Sequence, residues 1–171
     1  MKRLNILVLP IIENINMNFK IFFITLFWKQ NKFHKHSVLI HTILVLWYSI
    51  LANKPKYYLA AILHDIGKPF VATKDEAEDG YSFTNHEEKS YQMIKKIPFI
   101  SDDTKNIVRY HYLRRRIIKD SEKLKIGKNS SNGDPISQQS VNDMIDTYNS
   151  FSIDFQKDLR MFMILDDKAK K

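Results

Sequence analysis

LAAILHDIGKP, residues 59–69, decides the reading of this chain. Apolar residues fill a helical run, which ends in adjacent His64 and Asp65 and is followed by Ile66, Gly67, Lys68 and Pro69. Gly67 and Pro69 are expected to stop the helix. An imidazole and a carboxylate side by side at a helix end form half of a metal site. The rest of the chain is read for the other half.

Working outward, Pro55 suits the first turn of the helix that carries the doublet. Before it, VLIHTILVLWYSILAN reads as a long helix with Ser37 as its N-cap and His41 on its apolar face. After it, residues 71–83 are acidic (KDEAEDGYSF) and read as a loop over the helix ends. TNHEEKSYQMIKK follows, with Thr84 or Asn85 as cap, Glu87 and Glu88 in the first turn, and His86 projecting from it. Ser101, Asp102 and Asp103 start a helix that runs to His111 and Leu113. Residues 114–128 hold seven Lys or Arg against two acids. Residues 129–139 have loop composition, and residues 141–148 read as a short helix. The last helix starts at Asp154 and places Phe155, Leu159, Phe162, Met163 and Leu165 at near-helical spacing, with Asp166 directly after them.

The chain has 171 residues, which points to a single main domain able to bury a core without staples. It contains 4 Gly and 5 Pro, and its long patterns are helical, so the expected fold class is all-α. With no Cys, thiolate zinc sites, disulfides and a cysteine nucleophile are excluded, and a reducing, cytoplasmic setting is expected. The net charge of +8 favours polyanionic partners. Residues 1–30 are expected to form an N-terminal helical extension packed on a domain of residues 31–171. Their apolar runs are broken by Pro10, Glu13 and Lys20 and are shorter than the roughly 20 residues a bilayer needs, so no integral membrane segment is expected. Residues 15–28 read as a groove-packing helix.

His41, His64, Asp65, His86, His111 and Asp166 all sit in or at the ends of expected helices. Burying four imidazoles and two carboxylates together is costly unless something pairs them. A divalent ion does so, since neutral His gives nitrogen, Asp gives oxygen, and the ion offsets the carboxylate charge. Six ligands exceed what one catalytic ion needs and suit two ions sharing Asp65. Two ions roughly 3.5–4 Å apart can hold a bridging hydroxide and clamp phosphate oxygens. Mn, Fe, Co, Ni, Zn and Mg all suit such a set.

The ordered set of His41, His64-Asp65 and Asp166 resembles the HD-domain metal-dependent phosphohydrolase superfamily, named for its His-Asp doublet. Several islands between residue 30 and the C-terminus resemble the HD domain of bacterial tRNA nucleotidyltransferases: QNKFHKHSVLIHT (30–42), LAAILHDIGKP, FTNHEEKS (83–90), the V-x-x-H of Val108 to His111, and DDKA (166–169). The nucleotidyltransferase domain is absent, so CCA addition is not expected. The resemblance implies a compact helical bundle with the metal site between central helices. It implies His41, His64, Asp65 and Asp166 as ligands of a first ion and Asp65, His86 and His111 as ligands of a second. Lys68 becomes a phosphate contact, and Asp65 and Lys68 the catalytic pair. The residue before His86, a glycine in that family, is Asn85 here.

The function expected is metal-dependent hydrolysis of a nucleotide or RNA-end phosphoester, as a phosphomonoesterase or a 2′,3′-cyclic phosphodiesterase, through a metal-bridging hydroxide. Lys68, Arg114, Arg115 and Arg116 are expected to hold further phosphates. A competing reading is a metal-containing RNA- or nucleotide-binding module with little turnover, in which the basic segment tracks a phosphate backbone and Tyr110 or Tyr112 stacks a base. A third is a helical protein that docks on a partner through residues 15–28. His34 and His36 fall outside the ligand set.

Overall fold

A computed structural model of the chain describes residues 26–27, 30, 35–75, 80–127 and 135–170. The expected N-terminal extension lies outside them except for Leu26, Phe27 and Gln30, as do His34, part of the acidic loop and most of the 129–139 loop.

The fold is helical, as the glycine-poor sequence implies. Helix α1, Val38–Leu51, starts at Ser37, whose Oγ accepts the Ile40 N–H at 3.3 Å and satisfies one of the otherwise unpaired first-turn donors. Val38, His41, Val45 and Ser49 form its buried face. A 3₁₀ turn, Pro55–Tyr57, leads into α2, Tyr58–Leu63. Ala60 and Ala61, both fully buried, let α2 lie close to its neighbours. His64 and Asp65 follow in the turn beyond α2.

The structure corrects the reading of Gly67 and Pro69. They do not end the helical stretch. Lys68–Val71 forms a further short helix, α3, with Pro69 in its first turn, where a missing N–H costs nothing. Gly67 has an ordinary right-handed backbone, so it is not a left-handed cap. It is glycine for lack of room. A Cβ there would lie 2.5 Å from the His86 carbonyl oxygen and 2.6 Å from the Ser90 nitrogen.

The acidic segment also differs from expectation. Its ends pair as an antiparallel hairpin, β1 Thr73–Asp75 with β2 Gly80–Ser82, in the register Thr73 to Ser82. Then come α4 His86–Ile94, α5 Asp102–Tyr110, α6 Leu113–Lys125, α7 Gln138–Asn149 and α8 Ile153–Lys168. The basic segment is therefore an ordered helix, and α7 begins three residues before its expected start. Ser101, Ser137 and Ser152 cap α5, α7 and α8 through their hydroxyls.

Asn85 begins α4 with φ 59° and ψ 25°, a left-handed conformation that glycine adopts freely and Asn tolerates best among the other residues. This conformation is one that favours Asn or Gly over other residues at the position. Asn85→Val is expected to destabilise the protein by about 1–2 kcal/mol, while Asn85→Gly stays within about 0.5 kcal/mol of wild type. Urea unfolding of the three proteins checks this.

Helix α2 packs on α1 and α5, α5 packs on α4, and α8 closes over α1 and α5. Val45, Tyr57, Ile94, Ile107, Val108, Phe162 and Leu165 fill the space between them. The polar cluster sits at one end of this core.

Candidate metal centre

Each polar side chain reaches the cluster from a different element. His41 comes from the buried face of α1, and His64 and Asp65 come from the turn after α2. His86 is the first residue of α4, His111 caps the C-terminus of α5, and Asp166 lies near the end of α8. All six are buried. Phe162, one turn before Asp166, forms an apolar floor with ring centroids 5.6 Å from His64 and 6.2 Å from His111.

One local device orients the imidazoles. His64, His86 and His111 each place Nδ1 against the carbonyl three residues earlier, of Ala61 at 2.9 Å, Phe83 at 2.8 Å and Val108 at 2.8 Å. His41 Nδ1 reaches the Ala169 carbonyl at 3.3 Å. A carbonyl can only accept, so each Nδ1 carries the proton and, in the neutral ring, each Nε2 keeps a bare lone pair. Those lone pairs point inward. His41 Nε2 and His64 Nε2 are 3.3 Å apart, two acceptors facing each other unless a cation lies between them.

Asp65 stands between two groups. Its Oδ2 is 3.5 Å from His41 Nε2 and 3.2 Å from His64 Nε2, while its Oδ1 is 3.4 Å from His86 Nε2 and 4.0 Å from His111 Nε2. Asp166 Oδ1 is 2.9 Å from His41 Nε2. Two sets therefore have donor atoms within 4.8 Å of one another: His41, His64 and Asp166, and Asp65, His86 and His111. Neither Asp65 oxygen accepts a well-directed hydrogen bond, although Lys68 Nζ lies 2.7 Å from Oδ2. A buried carboxylate in that state requires positive charge. The donor set, nitrogen and oxygen without sulfur, fits divalent transition ions.

The electrostatics agree for two of the histidines. Burial holds His86 down to about 4 and His111 to about 3, so both are neutral at pH 7 and ready to donate lone pairs. For His64, burial disfavours the charged form but Asp65, with help from Asp166, raises the pKa above its ordinary value. Burial works against the Asp65 charge, yet His64, Lys68 and His86 hold its carboxyl well below the usual range. Asp166 is likewise held low against its burial, by His41 and Lys170.

These shifts set a pH dependence for the chelated protein. Unfolded, His86 and His111 bind protons below about 6.5; folded, they do not until about 4 and 3. The unfolded state thus gains protons first, and stability is lost as pH falls from about 6.5 toward 4. His64, with its raised folded value, contributes stability below about 6.5 that fades as pH rises through that value, so it does not offset the acid loss. Urea midpoints measured in chelator between pH 7 and pH 4.5 are expected to fall steadily.

Of the remaining expected site residues, Lys68 joins the cluster. It is buried, with Nζ 2.9 Å from Gln30 Oε1 and 5.4 Å from the Phe83 ring. Arg115 is tied to the margin of the cluster through Asp167, which Lys170 also contacts at 3.2 Å, and Lys170 pairs with Asp166. Arg114 is half-buried in the first turn of α6. Arg116 is exposed and 3.6 Å from Asp120, and it lines a separate cavity of about 310 Å³ with Glu87, Glu88, Arg109 and Tyr110.

Sequence reasoning missed three supporting residues. Gln30 is fully buried and orients Lys68, and nothing in its local pattern signals a partner 38 positions away. Ser90 Oγ donates to the His64 carbonyl at 2.8 Å and accepts the Gly67 N–H at 2.9 Å, joining α4 to the doublet turn. Lys170 follows Asp166 by four residues, a helical spacing that could have marked it.

A comparison with curated proteins returned no match. The family model for the HD domain matches residues 33–144, a span that holds His41, the doublet, His86 and His111. Asp166 lies beyond that span and is brought to it by α8. HD domains bind divalent metals and are generally metal-dependent hydrolases. With close to two thirds of its length matched, and with the His-Asp doublet buried among helices as described, this chain belongs to the HD domain family.

Proposed function

We propose that the chain is a phosphohydrolase that binds two divalent ions and acts on a nucleotide or RNA-end phosphoester, as a phosphomonoesterase or a 2′,3′-cyclic phosphodiesterase. The observation that carries this reading is the division of Asp65. Its two oxygens face different pairs of histidines, as a carboxylate shared by two ions would. His41, His64 and Asp166 would hold one ion and His86 and His111 the other, with Asp65 between them. When bound, a pair of divalent ions neutralises charge developing on a phosphoryl group and lowers the pKa of a water molecule.

The chain's own residues do the rest. The carbonyl bonds to Nδ1 keep every Nε2 directed inward, so no imidazole must reorient. Lys68 adds a fixed positive charge beside Asp65, and Gln30 prevents its ammonium from swinging away. The Phe162 floor keeps one side of the cluster dry, which strengthens every charge interaction there. Arg115 and Lys170, at the Asp166 margin, supply positive charge for additional phosphate oxygens.

The test is turnover of a phosphoester panel with Mn or Co, including nucleoside monophosphates, 3′-phosphorylated RNA and 2′,3′-cyclic nucleotides, for the wild type and His64→Ala. Activity confined to the wild type supports the reading, and equal activity in both proteins refutes it. Bound metal with no turnover, together with RNA binding that weakens steeply with salt, would favour the binding-module reading.

A further inference from the structure

Tyr112 stands beside the cluster without being one of its donors. Its ring centroid lies 6.0 Å from that of His86 and 6.5 Å from that of His111, the two imidazoles that join Asp65 in one donor set. Aromatic rings at such separations meet edge to face. The Tyr112 side chain is half-buried, and two cations flank it. The Arg115 guanidinium lies 5.9 Å and Lys119 Nζ 5.7 Å from the ring centroid, near the outer limit of a cation–π contact. Lys119 Nζ also donates to the Tyr112 hydroxyl at 3.0 Å. Tyr110 is engaged elsewhere, with its ring packed on Phe151 at 4.8 Å.

Helix α6 starts at the next residue, and none of its 13 residues is buried. Tyr112, Arg115, Lys119 and Lys123 follow one another at intervals of three, four and four, which puts them on one stripe of the helix. Exposed Arg116 lies at the edge of that stripe, and the acids Asp120 and Glu122 fall to either side of it. The stripe therefore begins at the ring beside the cluster and runs along a helix about 20 Å long, with a cation about every 6 Å. A basic helix that served only solubility would spread its charges around the axis. A lone phosphate at the cluster would reach neither Lys119 nor Lys123, whereas a chain of phosphates would reach both.

We propose that the substrate is the end of a single-stranded RNA, with the nucleotide next to the reacting phosphoester stacked at Tyr112 and the phosphates beyond it lying along Arg115, Lys119 and Lys123. This rests on the phosphohydrolase reading, because it puts the terminal phosphoester of the strand at the metal centre. An aromatic ring with cations beside it suits a single strand of any sequence, since every base has a π-face and the cations take the backbone. Asp167 holds Arg115 in place, so that charge is positioned before the strand arrives. Tyr112 sets specificity: it favours a strand over a free nucleotide.

The probe is a fluorescent RNA hexanucleotide with a 3′-hydroxyl, which has no terminal phosphoester to lose, added to the full-length protein loaded with Mn. Fluorescence anisotropy should show it bound at least tenfold more tightly than a mononucleotide competitor. Tyr112→Ala is expected to weaken binding by about 5–100-fold, and Tyr112→Phe, which keeps the ring, to restore it. Lys119→Ala combined with Lys123→Ala should reduce the slope of log K against log salt by about 1.4, the share of two single-strand phosphate contacts. The hexanucleotide should also inhibit hydrolysis of aryl phosphate mono- or diesters competitively. Equal affinity for hexanucleotide and mononucleotide, unchanged binding by Tyr112→Ala with native circular dichroism, or hydrolysis that the bound strand does not inhibit each overturns the proposal. Should Tyr112→Ala fail to fold, the double lysine variant decides, and an unchanged salt slope refutes the stripe. Aryl ester turnover without hexanucleotide binding sinks the strand site and leaves the phosphohydrolase reading standing. Hexanucleotide binding with the expected variant effects and no phosphoester turnover supports the strand site and sinks the phosphohydrolase reading.

Discussion

Asp65→Asn is expected to remove metal binding and phosphoester turnover together, while leaving the helical content of the protein intact. The substitution keeps the shape of the side chain and removes its negative charge. In the wild type the two oxygens face His41 and His64 on one side and His86 and His111 on the other, so a centre of two ions would lose the charged carboxylate that both share. Loss of an outer partner of a ligand typically costs about 10–100-fold in metal affinity, and loss of a shared ligand should exceed that. The variant should also be less stable without metal. Lys68 Nζ, 2.7 Å from Asp65 Oδ2, would keep only Gln30, and an ammonium left buried without its carboxylate costs about 3–5 kcal/mol. Isothermal titration with Mn, urea unfolding in chelator and the phosphoester assay read these effects separately. A variant that binds metal as tightly as the wild type would mean that Asp65 is a structural partner of Lys68 and no more.

Gly67→Ala is expected to destabilise the protein strongly through the single methyl group it adds. Its backbone angles suit any residue, so the effect comes entirely from contact. The new Cβ would lie 2.5 Å from the His86 carbonyl oxygen, 2.6 Å from the Ser90 nitrogen and 2.9 Å from Ser90 Oγ. Two of these are backbone atoms and cannot rotate away. Helix α4 must move back, weakening the Gly67 N–H to Ser90 bond and the Ser90 bond to the His64 carbonyl. Overpacking and the weakened bonds together cost about 2–4 kcal/mol, a fall in Tm of roughly 5–15 °C. The movement also carries His86 away from Asp65, while His41, His64 and Asp166 lie on other elements. If the cluster holds two ions, as proposed, the variant should therefore lose one before the other, which a two-step metal titration detects. A Tm unchanged from wild type would show that α4 has freedom to move that this packing denies.

The fold and the cluster were legible in the sequence to different depths. Ser37 and Ser101 announce their helices because capping is local, and Asp166 stood out as a carboxylate directly after an apolar face. The order of the His and Asp residues carried the family resemblance, and all six side chains converge in the structure. What could not be read depends on distant contacts. Gly67 looked like a helix stop because that is the commonest local reason for glycine, whereas its reason is the backbone of α4. Gln30 looked like the end of a separate extension because nothing in its neighbourhood points to Lys68. The β1–β2 hairpin was hidden by the charged residues of its segment, since pairing between two three-residue strands leaves little pattern. The αL backbone of Asn85 leaves only the residue type as a local signal, since Asn tolerates that conformation better than most residues.

The account stands or falls on the cluster being a centre for two metal ions. Its most direct test is the metal content of the protein, purified without chelator, loaded with Mn and freed of excess ion. Two equivalents per chain are predicted in the wild type, with neither retained by Asp65→Asn. No retained metal in folded wild-type protein would contradict the account and return the buried histidines and aspartates to a purely structural role.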